Sequence, residues 1–328
     1  MSLIDNYGRK IEYLRLSVTD RCNYRCFYCL PPTGNCFVDR DELLHYEEIV
    51  RLMRVFTELG VSKVRITGGE PLVRRDLIGL IGELSKLELE DISLSTNGEL
   101  LQQFAPQLVK SGVGRVNISL DTLKPEAFTE VTRTGKLDRV IDGIDAAIAC
   151  GMDPVKLNMV VMKGVNDQEI EAMLEFAAEH RVHLRFIETM PLGMHGGKAM
   201  DHFYPAEKIL KRVRSFYGSD LVPVKGVKGA GPARSYKVAS GDQTIGVISA
   251  VSRHFCEGCN RVRLTAKGEL VLCLGQENQF DLKGVMRAGA TDEELKEVIF
   301  EAIFRKPKAH DFSSGKIVVS HKMSHLGG

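Results

Sequence analysis

The sequence of 328 residues lacks both an excess of charge of one sign and a long apolar run. Lys+Arg 44 against Asp+Glu 43 give a formal net charge of +1, so no global field draws the chain to nucleic acid or to a membrane. Nowhere do about 18 apolar residues follow one another, and the start has no apolar segment of signal-peptide length. We therefore expect a cytoplasmic protein with neither nucleic acid nor membrane as partner, in which any anion site is local.

The cysteine groups also lack the fourth member that a structural metal site usually has. Six of the eight fall into two groups near opposite ends of the chain. The first trio is Cys22, Cys26 and Cys29, and the second trio is Cys256, Cys259 and Cys273. Eight cysteines in a reducing compartment indicate metal or catalytic thiols, yet each trio is one short of a structural zinc site. Cys36 and Cys150 lie outside both trios and are assigned no role.

Short β-rich runs alternate with amphipathic helical patterns over the first two thirds of the chain. Six runs have strand character: 12–18, 63–67, 91–96, 115–120, 155–161 and 183–189. Strand then helix, six times, predicts a parallel sheet in an α/β fold, either doubly wound or a barrel. Polar loops follow all six runs, and a barrel has its active site at that end. This favours an incomplete (β/α)6 TIM-type barrel.

The alternation of β-rich and helical patterns ends near residue 216. Short β-like pieces appear between glycine-rich turns, and a charged helical segment follows at 291–304. We place the partial barrel in residues 1–216 and a smaller C-terminal domain in residues 217–328. This second domain is expected to carry the second trio and to close the open side of the barrel.

The first trio lies in CNYRCFYC, directly after the first candidate strand. Thiolates at this spacing reach three irons of a [4Fe–4S] cluster and leave the fourth iron free for a non-protein ligand. A zinc ion with a remote fourth ligand, for which His45 is the nearest histidine, is the alternative. The sequence therefore predicts a metal site at the active-site face of the barrel.

CxxxCxxC with an aromatic residue before its last cysteine, followed by GGEP at residues 68–71, resembles the radical S-adenosylmethionine (SAM) superfamily. The resemblance implies that SAM chelates the open iron and that reduction cleaves it to methionine and a 5′-deoxyadenosyl radical. Gly68 and Gly69 permit close approach to a ligand, and Glu70 offers an acceptor for the SAM ammonium. Three further residues are placed at SAM by the resemblance: Tyr28, Ser119 and Met190. For Met190, plain core packing is the alternative.

The second trio is followed by paired cations. Arg261 and Arg263 alternate on a β-like segment and therefore point to one face. Two guanidiniums beside a metal site suit an anionic or nucleotide ligand. A zinc ribbon completed by His254 is the alternative. The chain has no GxxxxGK[ST] loop, so a Walker cradle does not hold phosphate.

LRLSVTDRCNYRCFYC, RITGGEPL, FCEGCNRVRL and a terminal GG together closely resemble the GTP 3′,8-cyclase family of molybdenum cofactor biosynthesis. In that family the 5′-deoxyadenosyl radical removes the C3′ hydrogen of GTP, and C3′ then attacks guanine C8 to give 3′,8-cyclo-7,8-dihydro-GTP. The resemblance implies a lyase with two [4Fe–4S] clusters, the second on the second trio with its open iron facing guanine. The partners implied are GTP, a downstream cyclic pyranopterin monophosphate synthase and a reductant such as flavodoxin or ferredoxin. A homodimer is compatible with it.

The resemblance also assigns the residues that contact GTP: Arg15, Lys63, Arg65, Thr96, Lys156, Arg185, Arg261, Val262, Arg263, Gly327 and Gly328. The catalytic set is the first trio with Arg261 and Arg263. A triphosphate of about four negative charges needs several cations close to it. The alternatives are a salt-bridged strand residue for a lone Lys or Arg, a plain turn for Thr96 and a disordered tip for the terminal glycines.

Two other functions remain open from the sequence. One is a different radical SAM enzyme with an auxiliary cluster, acting on a peptide or on heme. The other is a zinc- or cluster-binding protein without catalysis, which would not need the GGEP loop or two incomplete cysteine sets.

Overall fold

The computed structural model describes residues 2–33, 37–192, 199–224, 231–239, 243–312 and 323–327. Within these residues twelve strands form one sheet. In chain order the strands are β1 Tyr13–Ser17, β2 Lys63–Thr67, β3 Asp91–Thr96, β4 Arg115–Ser119, β5 Val155–Val161, β6 His183–Glu188, β7 Leu221–Val224, β8 Arg234–Val238, β9 Thr244–Ile248, β10 Arg261–Leu264, β11 Glu269–Val271 and β12 Gln279–Asp281.

The helices of the described residues mostly connect successive strands on the outside of the sheet. They are α1 Tyr46–Glu58, α2 Leu77–Leu84, α3 Leu101–Lys110, α4 Pro125–Thr132, α5 Leu137–Ala149, α6 Ile170–Glu179, α7 Ala206–Tyr217, α8 Leu282–Arg287, α9 Asp292–Phe304 and α10 Met323–Leu326. Single 3-10 turns occur at Arg40–Glu42, Pro71–Val73, Asp167–Glu169 and Cys256–Gly258. In this part of the chain no helix has both the length and the apolar character needed to cross a bilayer.

The sheet is open and runs in the order β12-β11-β10-β1-β2-β3-β4-β5-β6-β9-β8-β7. The eight strands from β10 to β9 are parallel to their neighbours, and the outer strands are antiparallel. The six βα units are therefore an incomplete barrel, and strands from the C-terminal part extend it at both edges. The predicted α/β fold class is confirmed.

Alternation along each strand separates an apolar outer face from a polar inner face. In β1, Leu14 and Leu16 are fully buried in the hydrophobic core, and Arg15 between them points the other way. In β2, Val64 and Ile66 are likewise in the core, with Arg65 between them. Because the helices cover only the outer face, the inner face is left for polar side chains. The fold thereby directs cations into the interior of the barrel.

Candidate active site

The first trio lies in the loop after β1, and its thiols line a cavity at the carboxyl ends of the strands, here called the first cavity. All three cysteines are partly buried and unbridged. Burial raises the pKa of Cys22 to about 12, and burial together with Cys29 and Asp121 raises the pKa of Cys26 well above its usual value. These two thiols therefore favour the protonated form in the free chain, and their thiolate forms need a bound cation.

Gly68 and Gly69 bring the GGEP loop into contact with the loop that carries the first trio. The amide of Gly69 donates to the carbonyl of Thr19 at 2.7 Å, and that of Glu70 to the carbonyl of Arg21 at 2.8 Å. A Cβ on Gly68 would lie 2.6 Å from the carbonyl oxygen of Thr19, and one on Gly69 would overlap the backbone of Arg21. Both glycines are thus required by the approach of the two loops.

The carboxylate of Glu70 lies beneath these loops and is 1% exposed. It accepts hydrogen bonds from the amide of Leu72 at 3.1 Å, the hydroxyl of Thr96 at 2.8 Å and the amide of Asn97 at 2.7 Å. Burial raises its pKa to about 7. The hydroxyl of Thr96 also accepts from the amide of Gly98. Glu70 and Thr96 therefore tie the loop after β2 to the loop after β3, beside the first trio.

Tyr28 and Ser119, both assigned to SAM by the sequence, line the first cavity with Gly68 and Gly69. The hydroxyl of Tyr28 donates to Asp121 at 2.6 Å, and Asp121 also accepts from the amide of Val160 at 2.9 Å. Sequence reasoning did not single out Asp121, although it follows β4 in the polar SLDT loop. Met190, by contrast, packs against the apolar cluster of Leu192, Ala250 and Phe312.

The second trio lines a second cavity on the inner face of the sheet. Cys256 begins the 3-10 turn before β10, Cys259 lies two residues before that strand, and Cys273 follows β11. β10 and β11 are antiparallel neighbours, which brings the three thiols to one wall of the cavity. Met190 and Val262 lie in the lining as well.

Three guanidiniums face this cavity in one row. Arg263 of β10 is in register with Arg15 of β1, and Arg15 is in register with Arg65 of β2. Neighbouring strands are about 4.8 Å apart, so the row places like charges side by side. Burial, then Arg15 and Arg261, lowers the pKa of Arg263 well below its usual value. Such a row is unfavourable by itself and becomes favourable when an anion lies across it.

The charged side chains in the described lining of the second cavity are all positive. Its described lining holds the cations Arg9, Arg15, Arg65, Arg185, Arg261, Arg263, Lys306 and Lys308, with no Asp or Glu. Burial and the neighbouring cations lower the pKa of Arg65 to about 9 and, with burial again the largest cause, that of Arg185 to about 10. The cavity therefore suits a polyanion, since guanidiniums are the groups that bind phosphates in planar, paired contacts.

Two lysines assigned to GTP lie at the amino ends of their strands. Lys63 pairs with Glu12 at 3.4 Å and with Glu90 at 3.6 Å, and it is not in the described lining of the second cavity. Lys156 is 1% exposed. Burial, followed by Arg185, lowers its pKa to about 6. The structure thus brings together the arginines of the assigned set and leaves these two lysines at its far end.

The described part of the tail, residues 323–327, lies between the two cavities. Met323 lines both of them. The guanidinium of Arg263 donates to the carbonyl oxygens of Leu326 at 3.1 Å and Gly327 at 2.6 Å. Gly327 has φ +71° and a Cβ there would overlap Thr67, so this position requires glycine. Gly328 and Cys36 lie outside the described residues.

Comparison with known proteins places this geometry in a family. The chain matches the Radical SAM superfamily model over residues 16–177 and the Molybdenum Cofactor Synthesis C model over residues 182–312. A curated GTP 3′,8-cyclase of Hydrogenovibrio crunogenus is 52% identical over 331 residues, covering 100% of both chains. That of Desulforamulus reducens is 45% identical, covering 95% of this chain and 96% of its own.

Among solved structures, Streptococcus suis SuiB bound to S-adenosylmethionine has a similar fold, with a TM-score of 0.63 at 14% identity. The match covers 94% of this chain and 68% of that one. The partial barrel and the matched models define the class as radical SAM proteins. The chain belongs to the GTP 3′,8-cyclase family within it, since relatives of 52% and 45% identity span nearly its whole length.

The two trios fit the cofactors of this class, two [4Fe–4S] clusters and SAM. Among the described residues, no three His, Cys, Asp or Glu side chains are grouped as ligands of one metal ion. A cubane takes each thiolate on a different iron, so three thiols can hold it and leave the fourth iron open. His45, the zinc alternative of the first trio, instead begins α1 in a capping box with Glu48. The first trio would hold the cluster next to SAM, and the second trio would hold the other.

Proposed function

We propose that this chain is a GTP 3′,8-cyclase, a radical SAM lyase of molybdenum cofactor biosynthesis. The main support for this proposal is the second cavity, whose described lining combines three thiols with eight cations and no carboxylate. A nucleoside triphosphate meets both features, because its phosphates need the cations and its base offers nitrogen and oxygen donors to an open iron. Peptides and heme do not call for this density of positive charge, which disfavours the alternative radical SAM functions.

The cluster on the first trio supplies, when bound, the electron that cleaves SAM to methionine and a 5′-deoxyadenosyl radical. Around it, Gly68 and Gly69 let the backbone approach the first cavity, and Tyr28 and Ser119 line the cavity opposite them. Glu70 acts here through the loops that it holds, since its oxygens accept three internal hydrogen bonds. These residues orient SAM toward the second cavity.

GTP is held in the second cavity with its triphosphate on the row of Arg263, Arg15 and Arg65 and on Arg185. The guanine faces the second trio, where Arg261 and Val262 flank it. The tail from Met323 to Gly327 contacts both cavities through Met323, and Arg263 holds it in place. Removal of the C3′ hydrogen and C3′–C8 closure would leave a radical on the purine, which one electron from the reductant and one proton would convert to 3′,8-cyclo-7,8-dihydro-GTP.

The reaction needs partners beyond GTP and SAM. We assign a cytoplasmic reductant such as flavodoxin or ferredoxin as electron donor and a cyclic pyranopterin monophosphate synthase as consumer of the product, and a homodimer is compatible with these roles. The near-neutral composition, Lys+Arg 44 against Asp+Glu 43, creates no global field that would draw the chain to nucleic acid or to a membrane.

The test is an anaerobic incubation of the reconstituted protein with SAM and dithionite, with and without GTP. We expect 5′-deoxyadenosine and a cyclised nucleotide to form together and only with GTP. Cys22→Ala should abolish SAM cleavage, whereas Arg261→Ala should retain both clusters and lose GTP binding. Deoxyadenosine formation that does not depend on GTP would contradict the proposal and favour another radical SAM substrate.

A further inference from the structure

Two buried cations of the second cavity belong to none of the motifs discussed above. Lys306 is 3% exposed and follows α9, and Arg9 is 9% exposed in the segment before β1. Arg9 precedes the residues that either family model matches. Both side chains reach the wall of the cavity that carries the second trio. There, each side chain donates hydrogen bonds to backbone carbonyl oxygens of the segments that carry the second trio.

Lys306 connects the two strand ends that carry Cys259 and Cys273. Its ammonium donates to the carbonyl oxygen of Arg261 at 3.0 Å and to that of Leu272. Arg261 lies two residues after Cys259, and Leu272 directly precedes Cys273. One ammonium group therefore fixes the backbone of both segments.

Arg9 holds the third cysteine segment. One terminal nitrogen donates to the carbonyl oxygens of Cys256 and Lys308, each at 2.9 Å, and the other donates to that of Pro307 at 2.7 Å. Its Nε donates to Asp5 at 2.5 Å, which orders the guanidinium. Arg9 thus joins Cys256 to the same chain segment that carries Lys306.

The charge of Lys306 is not explained by these carbonyls alone. Its ammonium donates to these two carbonyl oxygens and lies in hydrogen-bonding contact with the Cys259 thiol, and it forms no ion pair with an Asp or Glu among the described residues. A buried ammonium needs a counter-charge. The groups beside it that become negative when they bind a metal are the thiols of Cys259 and Cys273, which line the same cavity.

We propose that Arg9 and Lys306 form a two-cation clamp, which fixes the three segments of the second trio. Lys306 also offsets the negative charge of the cluster held there, whereas the charge of Arg9 is balanced by Asp5. The inference rests on the proposed function, because it takes the second trio as cluster ligands. Neighbouring cations stabilise the reduced, more negative state of a cluster. The clamp therefore raises the reduction potential of the second cluster and slows its loss.

The experiment uses the full chain with Cys22→Ala, Cys26→Ala and Cys29→Ala, so that only the second trio binds iron. Lys306→Met in this background should make the midpoint potential, followed by EPR, more negative. It should also speed iron release to a chelator by roughly tenfold or more. Lys306→Arg keeps the charge and should stay close to the parent. Arg305→Met is the matched control, since Arg305 is adjacent, 60% exposed and paired with Glu301, and should change neither quantity.

The clamp is wrong if Lys306→Met and Arg305→Met have the same potential and release rate, or if Lys306→Arg shifts the potential as far as Lys306→Met does. Should Lys306→Met not fold by circular dichroism, Lys306→Gln tests the same prediction, because its amide can still donate to the two carbonyl oxygens but carries no charge. Neither SAM nor GTP enters the measurement, so a failure of GTP conversion leaves it standing. A parent that binds no iron would instead overturn the second cluster, and with it both this clamp and the proposed function.

Discussion

Arg263 donates a hydrogen bond of 2.6 Å to the carbonyl oxygen of Gly327, so a cation of the barrel interior holds the end of the chain. The two residues are 64 positions apart in sequence. Arg263 is also a member of the arginine row that we assign to the triphosphate. The contact therefore couples the position of the tail to the occupant of the second cavity.

Gly327→Ala should lower kcat/KM for GTP by roughly 100-fold, since misplacement by about 1 Å near reacting groups has an effect of this size. The new methyl group would overlap Thr67 and would also strain a backbone at φ +71°. Gly151→Ala is the matched control, with φ +77° and nothing within 4 Å of the added Cβ. Equal losses in the two variants, measured in steady-state assays, would mean that backbone strain and not the tail contact is responsible.

Arg65→Met and Arg185→Met should each weaken GTP binding by roughly 10- to 100-fold, the usual value of a charge-assisted hydrogen bond. Guanosine binding should change little, because it lacks the triphosphate. Lys63→Met should cost less than about threefold, since Lys63 is paired with Glu12 and Glu90. Isothermal titration with both ligands checks this, and a loss at Lys63 equal to that at Arg65 would restore Lys63 to the phosphate site.

Iron content should report the two trios separately. The reconstituted protein is expected to bind about eight irons per chain, and Cys22→Ala or Cys259→Ala about four. Cys150→Ala should keep the full amount, because Cys150 lies at the end of α5, away from both cavities. Zinc in place of iron and sulfide at the second trio would favour the zinc-ribbon interpretation.

Lys156 should make the stability of the free protein depend on pH. Burial and Arg185 lower its folded pKa to about 6, whereas the unfolded value is about 10.4. Between these values the unfolded chain binds the extra proton, so the free energy of unfolding rises with pH, by at most about 1.4 kcal/mol per unit. Lys156→Met should remove this contribution. Urea unfolding at pH 6.5, 7.5 and 8.5 measures it, and parallel curves for parent and variant would refute it.

Strands β1 to β6 and the segments of β8 to β11 could be predicted because alternating apolar residues and following turns define them. β7 contains Pro223, and β12 has only Phe280 as an apolar residue between two polar ones, so both carry little sequence signal and form through pairing with their neighbours. The division at residue 216 stays a prediction, since strands from both parts share one sheet.

The site residues could also be predicted only in part. The motifs locate both trios. The two-residue spacing of Lys63 and Arg65 predicts that both lie on one face of β2, but it does not show that only Arg65 reaches the second cavity. The GGEP motif identifies Glu70 without showing that its oxygens point toward Thr96 and Asn97. Arg9 and Lys306 lie in no motif at all, and only the tertiary fold brings them to the second trio.

The central claim is that the two cavities act on one molecule of GTP. GTP deuterated at C3′ should transfer its deuterium to 5′-deoxyadenosine when incubated anaerobically with the reconstituted protein, SAM and dithionite. GTP deuterated at C2′ should transfer none. Deoxyadenosine that carries no deuterium from C3′ would contradict the account, because the radical formed beside the first trio would then not reach the ribose held in the second cavity.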